Sequence, residues 1–249
     1  MTTDTEILYG FHPVAECLRA GRRRVLEIVV ARQARGQRIE ALMSLADECN
    51  VPVRRRAREE IRHLAVSEAH QDICARVASY PLVDLAVLLD STAAPLLLLL
   101  DQVVDVQNFG SLVRTALCAG VKGVVIPRRR AAQPGAAACK ASAGALEHMP
   151  VARVANMTAA VKDLKAAGFW IAGLDGRAEQ AVFDVDLTGP LAMVIGGEHR
   201  GIRPLVRRHC DLLAAIPQQG PLDSLNASAA GAVALFESVR QRRAGNIPD

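Results

Sequence analysis

From Leu96 onward, short apolar runs alternate with helical patterns, and this alternation constrains the fold more than any other feature of the chain. Strands are expected at Leu96 to Asp101, Gly123 to Ile126, Val151 to Val154, Trp170 to Leu174, Ala192 to Ile195 and Leu212 to Ile216. Helices are expected at Gly110 to Ala119, near Gly135 to Ala141, and at Thr158 to Ala167, Ile202 to Cys210 and Asn226 to about Arg242. Such a chain folds as an α/β protein with a mostly parallel sheet covered on both faces. Ligands of such sheets bind at the carboxyl ends of the strands, in the loops that follow them.

The first 80 residues read as a separate, smaller α/β unit. Strands are expected at Val25 to Ala31, Val51 to Arg54 and Ile73 to Ala78, with helices at His12 to Ala20, Gln37 to Cys49 and Arg58 to Leu64. Ser79-Tyr80-Pro81 ends the unit, because proline biases the preceding residue to an extended conformation. The expected organisation is therefore a domain at 1–80, a linker at 81–95 and a larger domain at 96–249.

Three loops after apolar strands carry the polar residues. The first, Asp101 to Gly110, leaves a strand and enters a helix bearing Arg114, an arrangement that suits an anionic group beside Asn108. An ordinary N-cap at Asn108 and a surface Arg114 would account for the same residues. The second, Ile195 to Ile202, holds Gly196, Gly197 and Gly201, a density of glycine that implies close backbone approach. It is not a GxGxxG pattern, which disfavours dinucleotide binding. Glu198 within it either accepts hydrogen bonds from a ribose or base edge, or favours the following helix by its charge. The third, Ile216 to Ala230, places Gly220, Ser224, Leu225 and Asn226 at a strand-to-helix junction. Ser224 or Asn226 can cap the last helix, whose Ser228, Ala229, Ala230 and Gly231 form a small-residue face.

Composition narrows the class of partner. Of 249 residues 51% are hydrophobic and 22% charged, the balance of a folded globular protein. Net charge is only +4, but residues 1–80 hold 13 arginines, no lysine and 11 acidic residues. Arg22-Arg23-Arg24, Arg54-Arg55-Arg56 with Arg58, and Arg128-Arg129-Arg130 are patches that suit a phosphate backbone; solvated surface is the alternative reading. The six dispersed cysteines form neither a CxxC pair nor a zinc-ligand cluster, so reduced thiols and no metal are expected. The start MTTDTEILYG has no secretory pattern, and Ala93 to Leu100 is too short to span a bilayer, so a cytoplasmic protein without membrane attachment is expected.

Taken together, NxGxxxR at Asn108 to Arg114, IGGExxG at Ile195 to Gly201 and IPxxGxxxSLNxS at Ile216 to Ser228 resemble the three motifs of the SpoU (TrmH-like) RNA 2′-O-methyltransferases, in the same order. The resemblance covers about Leu96 to Arg243 and implies the SPOUT fold, an α/β sheet with a deep trefoil knot. The segment YGFHPVAECLRAG, with its arginine-rich unit, is similar to the L30e-like substrate-binding domain of the branch that methylates a guanosine of 23S rRNA. The resemblance implies S-adenosyl-L-methionine (SAM) held around Gly196, Gly197, Ile216, Gly220 and Leu225. It further implies that Asn108, Arg114, Glu198, Ser224 and Asn226 form the catalytic and RNA-facing cluster, commonly completed across a homodimer interface. Val106, His199, Gln218 and Ala227 depart from the family pattern, and His199, at a glycine position, either crowds the cofactor or adds a contact.

The implied reaction is an in-line displacement by a ribose 2′-oxygen, dominated by alignment and loss of the hydroxyl proton. A guanidinium with a pKa above about 12 is a poor base, so Arg114 is read as a phosphate ligand, with Asn108 orienting the ribose. A tRNA ribose as substrate, or a non-catalytic RNA-binding paralogue, are the competing readings.

Overall fold

The computed structural model describes residues 5–89, 95–198, 200–221 and 224–244. They divide into two compact units, 1–81 with 134–148, and 82–133 with 149–249.

In the first unit the chain runs β1 (Thr5–Tyr9), α1 (Phe11–Ala20), β2 (Val25–Ala31), α2 (Gln37–Glu48), β3 (Val53–Arg56), α3 (Arg58–Ala65) and β4 (Ile73–Ala78). The sheet order is β1-β4-β2-β3, with β4 antiparallel to both its neighbours and β3 parallel to β2. Strands β2 and β4 have the bounds read from the sequence; β1 was not foreseen. Its sequence TEILY lacks a long apolar run, and its pairing with β4 is what makes it a strand.

The second unit begins with α4 (Leu85–Leu89), β5 (Leu96–Asp101), α5 (Val106–Cys118) and β6 (Gly123–Pro127). The chain then returns to the first unit as α6 (Ala136–Ala141) and a 3-10 turn, Ala145–His148. It resumes in the second with β7 (Val151–Val154), α7 (Met157–Ala166), β8 (Trp170–Leu174), β9 (Gln180–Ala181), β10 (Leu191–Gly196), α8 (Pro204–Arg207), β11 (Leu212–Ala215) and α9 (Ala227–Ala244). The seven-stranded sheet has the order β7-β6-β5-β10-β8-β11-β9, and every pairing in it is parallel. All six residues of β5 are buried, as a central parallel strand covered on both faces requires. Leu97 and Leu99 pack with Val125, Leu164, Ile171 and Val194, whereas Leu98 and Leu100, alternating to the other face, are also fully buried.

The compact units differ from a linear cut at 80 and 96, because 134–148 packs with the N-terminal unit. A buried ion pair explains this. Arg23 donates from Nε to Glu147 Oε2 at 2.8 Å and from Nη2 to Oε1 at 2.5 Å, both side chains being 1% exposed. Arg23 also contacts Glu6 and the carbonyl of Ala78. Burial opposes the charge on Arg23, but the hydrogen bonds and charge of Glu147, with the charge of Glu6, outweigh it and raise the guanidinium pKa. Around the pair, burial and then the Glu147 charge push the Cys17 thiol up to about 12 and raise that of Cys139 as well. These thiols stay protonated near neutrality and are poor nucleophiles. No sequence periodicity signals such a pair, since Arg23 lies in an arginine run that reads as surface.

Glu147→Ala should destabilise the protein by about 3 kcal/mol, because a buried guanidinium loses its bidentate partner while keeping Glu6. A urea unfolding midpoint unchanged from wild type would contradict this account.

Candidate active site

The sheet order places the carboxyl ends of β5, β10, β8 and β11 side by side, so the loops after them share one edge. Asp105 begins the arrangement. It caps α5, its Oδ1 accepting from the backbone N–H of Gln107 at 2.6 Å and Asn108 at 2.9 Å. The helix therefore starts four residues earlier than Gly110, and Asn108 sits in its first turn. Asn108 is not the cap, and its side chain is available for other work.

That side chain joins the three loops. Asn108 Nδ2 donates to Glu198 Oε1 at 2.8 Å, and Asn108 Oδ1 accepts from Asn226 Nδ2 at 2.9 Å. Asn226 Oδ1 in turn accepts from Ser228 Oγ at 2.6 Å and from the backbone N–H of Ser228 and Ala229. Asn226 thus caps α9 through its oxygen and reaches the first loop through its nitrogen.

The second loop is fixed to β5 by Asp101. This fully buried carboxylate accepts from the Arg203 backbone N–H at 2.9 Å and from Arg203 Nε at 2.8 Å, while the Asp101 carbonyl accepts from Gly197 N–H at 3.0 Å. Gly196 and Gly197 are required here by backbone contact. A Cβ on Gly196 would lie 2.0 Å from the Gly201 carbonyl carbon, and one on Gly197 would lie 2.2 Å from the Gln102 carbonyl oxygen. The close approach implied by these glycines is thus made to the protein's own main chain. Behind them, a Cβ on Gly231 would meet Leu112 Cδ2 at 2.3 Å and Ile195 Cδ1 at 2.6 Å, which accounts for the small-residue face of α9.

A cavity of about 500 Å³ opens between these loops. Ile195, Ala214, Ile216, Leu225, Ala227 and Ala230 give it apolar walls, and Glu198, Ser224 and Asp175 bring polar groups to it. Asp175 was missed in the sequence, although Asp175-Gly176 follows an apolar strand, the rule that selects the other three loops. Burial works against its charge, but hydrogen bonds from the Arg177 backbone and side chain and the charges of Arg207 and Arg177 hold its carboxyl below the ordinary range. Arg207 Nε lies 2.7 Å from Asp175 Oδ2.

Of the ten residues proposed from the sequence, Glu198, Ser224, Gly196, Gly197, Ile216 and Leu225 line this cavity, and Asn108 and Asn226 are tied to Glu198. Two lie elsewhere. Arg114 is an exposed residue of α5, six residues beyond Asn108 and so about 9 Å further along the axis, not on the helix's first turn. It has no hydrogen-bond or ion-pair partner among the described residues. Gly220 is exposed, and a Cβ there would meet nothing within 4 Å. Val106 opens α5, Gln218 folds back on the Ile216 carbonyl, and Ala227 opens α9; His199 lies outside the described residues. Among the described residues no cluster of three or more His, Cys, Asp or Glu could hold a metal ion, all six cysteines are free, and no helix is long and apolar enough to cross a membrane.

Residues 95–236 match the model of the SpoU rRNA Methylase family, and residues 7–83 match a model described as RNA 2′-O ribose methyltransferase substrate binding. The chain belongs to the SpoU rRNA methylase family. It is 38% identical over 241 residues to the 23S rRNA (guanosine-2′-O-)-methyltransferase RlmB of Yersinia pestis, covering 96% of this chain and 98% of that protein. It is also 38% identical to an uncharacterized tRNA/rRNA methyltransferase of Mycobacterium ulcerans, over 97% of this chain and 79% of that one. Among solved structures, the SpoU methyltransferase AviRb from Streptomyces viridochromogenes, in complex with AdoMet, aligns with a TM-score of 0.82 at 27% identity, covering 95% of this chain and 90% of that one.

Gly197, in the cavity wall, and Gly220, outside it, should differ in their response to substitution. Gly197→Ala forces a backbone clash worth about 1–3 kcal/mol, whereas Gly220→Ala should stay within about 0.5 kcal/mol of wild type. Thermal unfolding of the two variants measures the difference; equal melting temperatures would refute the backbone-contact explanation of the glycines.

Proposed function

We propose that this protein transfers a methyl group from SAM to the ribose 2′-hydroxyl of a guanosine in 23S rRNA. The observation that carries the reading is the Glu198–Asn108–Asn226 hydrogen-bond chain, which draws three loops together at one wall of a cavity of about 500 Å³. The family, the guanosine-2′-O-methyltransferase relative and the AdoMet-bound structure support the same chemistry.

The residues of the cavity suit SAM. Ile195, Ile216 and Leu225 offer apolar surface to a flat base, the glycine turn offers main-chain polar groups, and Asp175 and Glu198 offer carboxylates to hydroxyl or ammonium groups. When bound, SAM supplies an electrophilic sulfonium methyl, whose bond to sulfur breaks as the 2′-oxygen bonds to its carbon. The protein's contribution is alignment. Asn108 is held at both ends of its amide, which leaves the second proton on Nδ2 to donate to a ribose oxygen. The carboxylate of Glu198 accepts the hydrogen bond of the 2′-hydroxyl, orients its lone pair toward the methyl carbon and takes up the proton as the oxygen–carbon bond forms. Ser224 completes the polar wall, and Asn226 holds Asn108 from behind it. Arg114 has no partner among the described residues, and its planar guanidinium fork suits the phosphate next to the target ribose.

In this reading the smaller unit (residues 1–80 of the sequence-based division) binds the rRNA substrate, and residues 96–249 carry the catalytic reaction. The enzyme works as a cytoplasmic homodimer, a state that sedimentation reads directly, and the knotted SPOUT topology belongs to the same reading.

Labelled SAM incubated with unmodified, in vitro transcribed 23S rRNA should place label on the ribose of one guanosine and render the following linkage resistant to alkali. Absence of SAM binding by calorimetry, or labelling of tRNA instead, would overturn the assignment. Asn108→Ala should lower the single-turnover rate about 10²-fold while leaving SAM affinity within about threefold, since misalignment alone costs that much. Arg114→Lys keeps the charge but loses the planar fork; an unchanged rate would remove bidentate phosphate binding from its role.

A further inference from the structure

A second cavity, of about 290 Å³, adjoins the first and shares Gly197, Glu198, Arg200 and Gly201 with it. Its other walls are Gln102 and Val104, from the loop after β5, and Arg130, from the loop after β6. Glu198 therefore belongs to both cavities, and the second has an arginine from each of two different strand ends.

The position of Arg130 is built. The loop after β6 is folded by Gln133 Nε2, which donates to the carbonyls of Pro127 and Ala131 at 3.1 Å, and it is fixed to the β5 loop by Ala132 N–H donating to the Val103 carbonyl at 2.9 Å. Within it Arg130 adopts a left-handed backbone with φ of 57°, a conformation uncommon for a residue other than glycine. Arg128 and Arg129, the other members of the run, line neither of these cavities. Neither Arg130 nor Arg200 has a hydrogen-bond or ion-pair partner among the described residues, unlike Arg203 and Arg207 nearby, which are held by Asp101 and Asp175.

Two guanidinium groups without a partner among the described residues, around a cleft whose shared wall is a fixed carboxylate, suit a strand that alternates phosphates with hydroxyl-bearing sugars. Resting on the methyl-transfer reading above, we infer that Arg130, together with Arg200, holds the phosphates flanking the target nucleotide in this second cavity, so that its ribose meets Glu198 at the wall the two cavities share. Arg130 is then a positioning residue for the RNA and takes no part in holding SAM.

The test uses the full-length protein and in vitro transcribed 23S rRNA, with RNA affinity measured between 50 and 200 mM salt, SAM affinity by calorimetry and single-turnover methyl transfer. Arg130→Gln should weaken RNA binding several-fold at low salt, lower the slope of log affinity against log salt by about 0.7–0.9, the share of one phosphate contact, and leave SAM affinity within about twofold. Arg130→Lys should restore most of the slope, and Arg129→Gln, outside the cavity, should lower it less than Arg130→Gln does. An unchanged slope in Arg130→Gln, an equal loss in Arg129→Gln, or a parallel loss of SAM affinity would each overturn the inference. If the wild-type protein transfers no methyl group, the functional reading fails, and the salt slopes still decide whether Arg130 contacts RNA.

Discussion

The site depends on one buried carboxylate. Asp101 ends the central strand β5, is fully buried, and engages the loop after β10 through both its side chain and its carbonyl. An unpaired carboxylate at that depth would cost several kcal/mol, so the Arg203 guanidinium and backbone N–H are held to it. The Gly196–Gly197 turn is thereby pressed against Gln102 and Gly201, and Glu198 emerges from it at a fixed place. Asn108, one turn into the helix that follows the same strand, then meets Glu198 at 2.8 Å. Strand β5 thus supplies the anchor for one loop and the helix that carries that loop's hydrogen-bonding partner.

Capping and function need not compete for the same residue. An asparagine at a helix start is ordinarily explained by its oxygen accepting from free N–H groups. In α5 Asp105 performs that task and frees Asn108, whereas in α9 Asn226 performs it with Oδ1 and still spends its amide nitrogen on Asn108. A primary amide has two chemically distinct ends, and this fold uses both. Aspartate at 226 could cap α9 equally well but could not donate to Asn108.

Most of the sheet was legible because parallel strands buried on both faces must be apolar throughout; β5, β7 and β8 fall within the limits that this rule gives. The three loops were legible as the polar interruptions at the ends of such strands. What escaped was whatever depends on partners distant in sequence. Glu147 reads as a surface carboxylate until Arg23 is placed against it 124 residues away, and with it goes the assignment of 134–148 to the smaller unit. The glycines imply close backbone approach, but not to what; their nearest neighbours are main-chain atoms of the same two loops. Arg114 was placed beside Asn108 by counting from Gly110, and the true helix start at Val106 moves it along the axis and away from the cavity wall. Asp175 was passed over because its loop has one glycine and no asparagine.

The two cavities give the hydrogen-bond chain a purpose that neither gives alone. A displacement between two bound molecules needs the attacking and departing atoms in line, and hence one rigid element that touches both. In the proposed reaction Glu198 is that element: it lines both cavities, its backbone is fixed through Gly197 to Asp101, and its side chain is fixed through Asn108 to the cap of α9. Were Glu198 only a helix-favouring charge, none of these restraints would be required, since that effect acts through space and tolerates motion within a turn. Restraint from two directions on one exposed carboxylate that lines two adjoining clefts suits the alignment of two substrates that we propose.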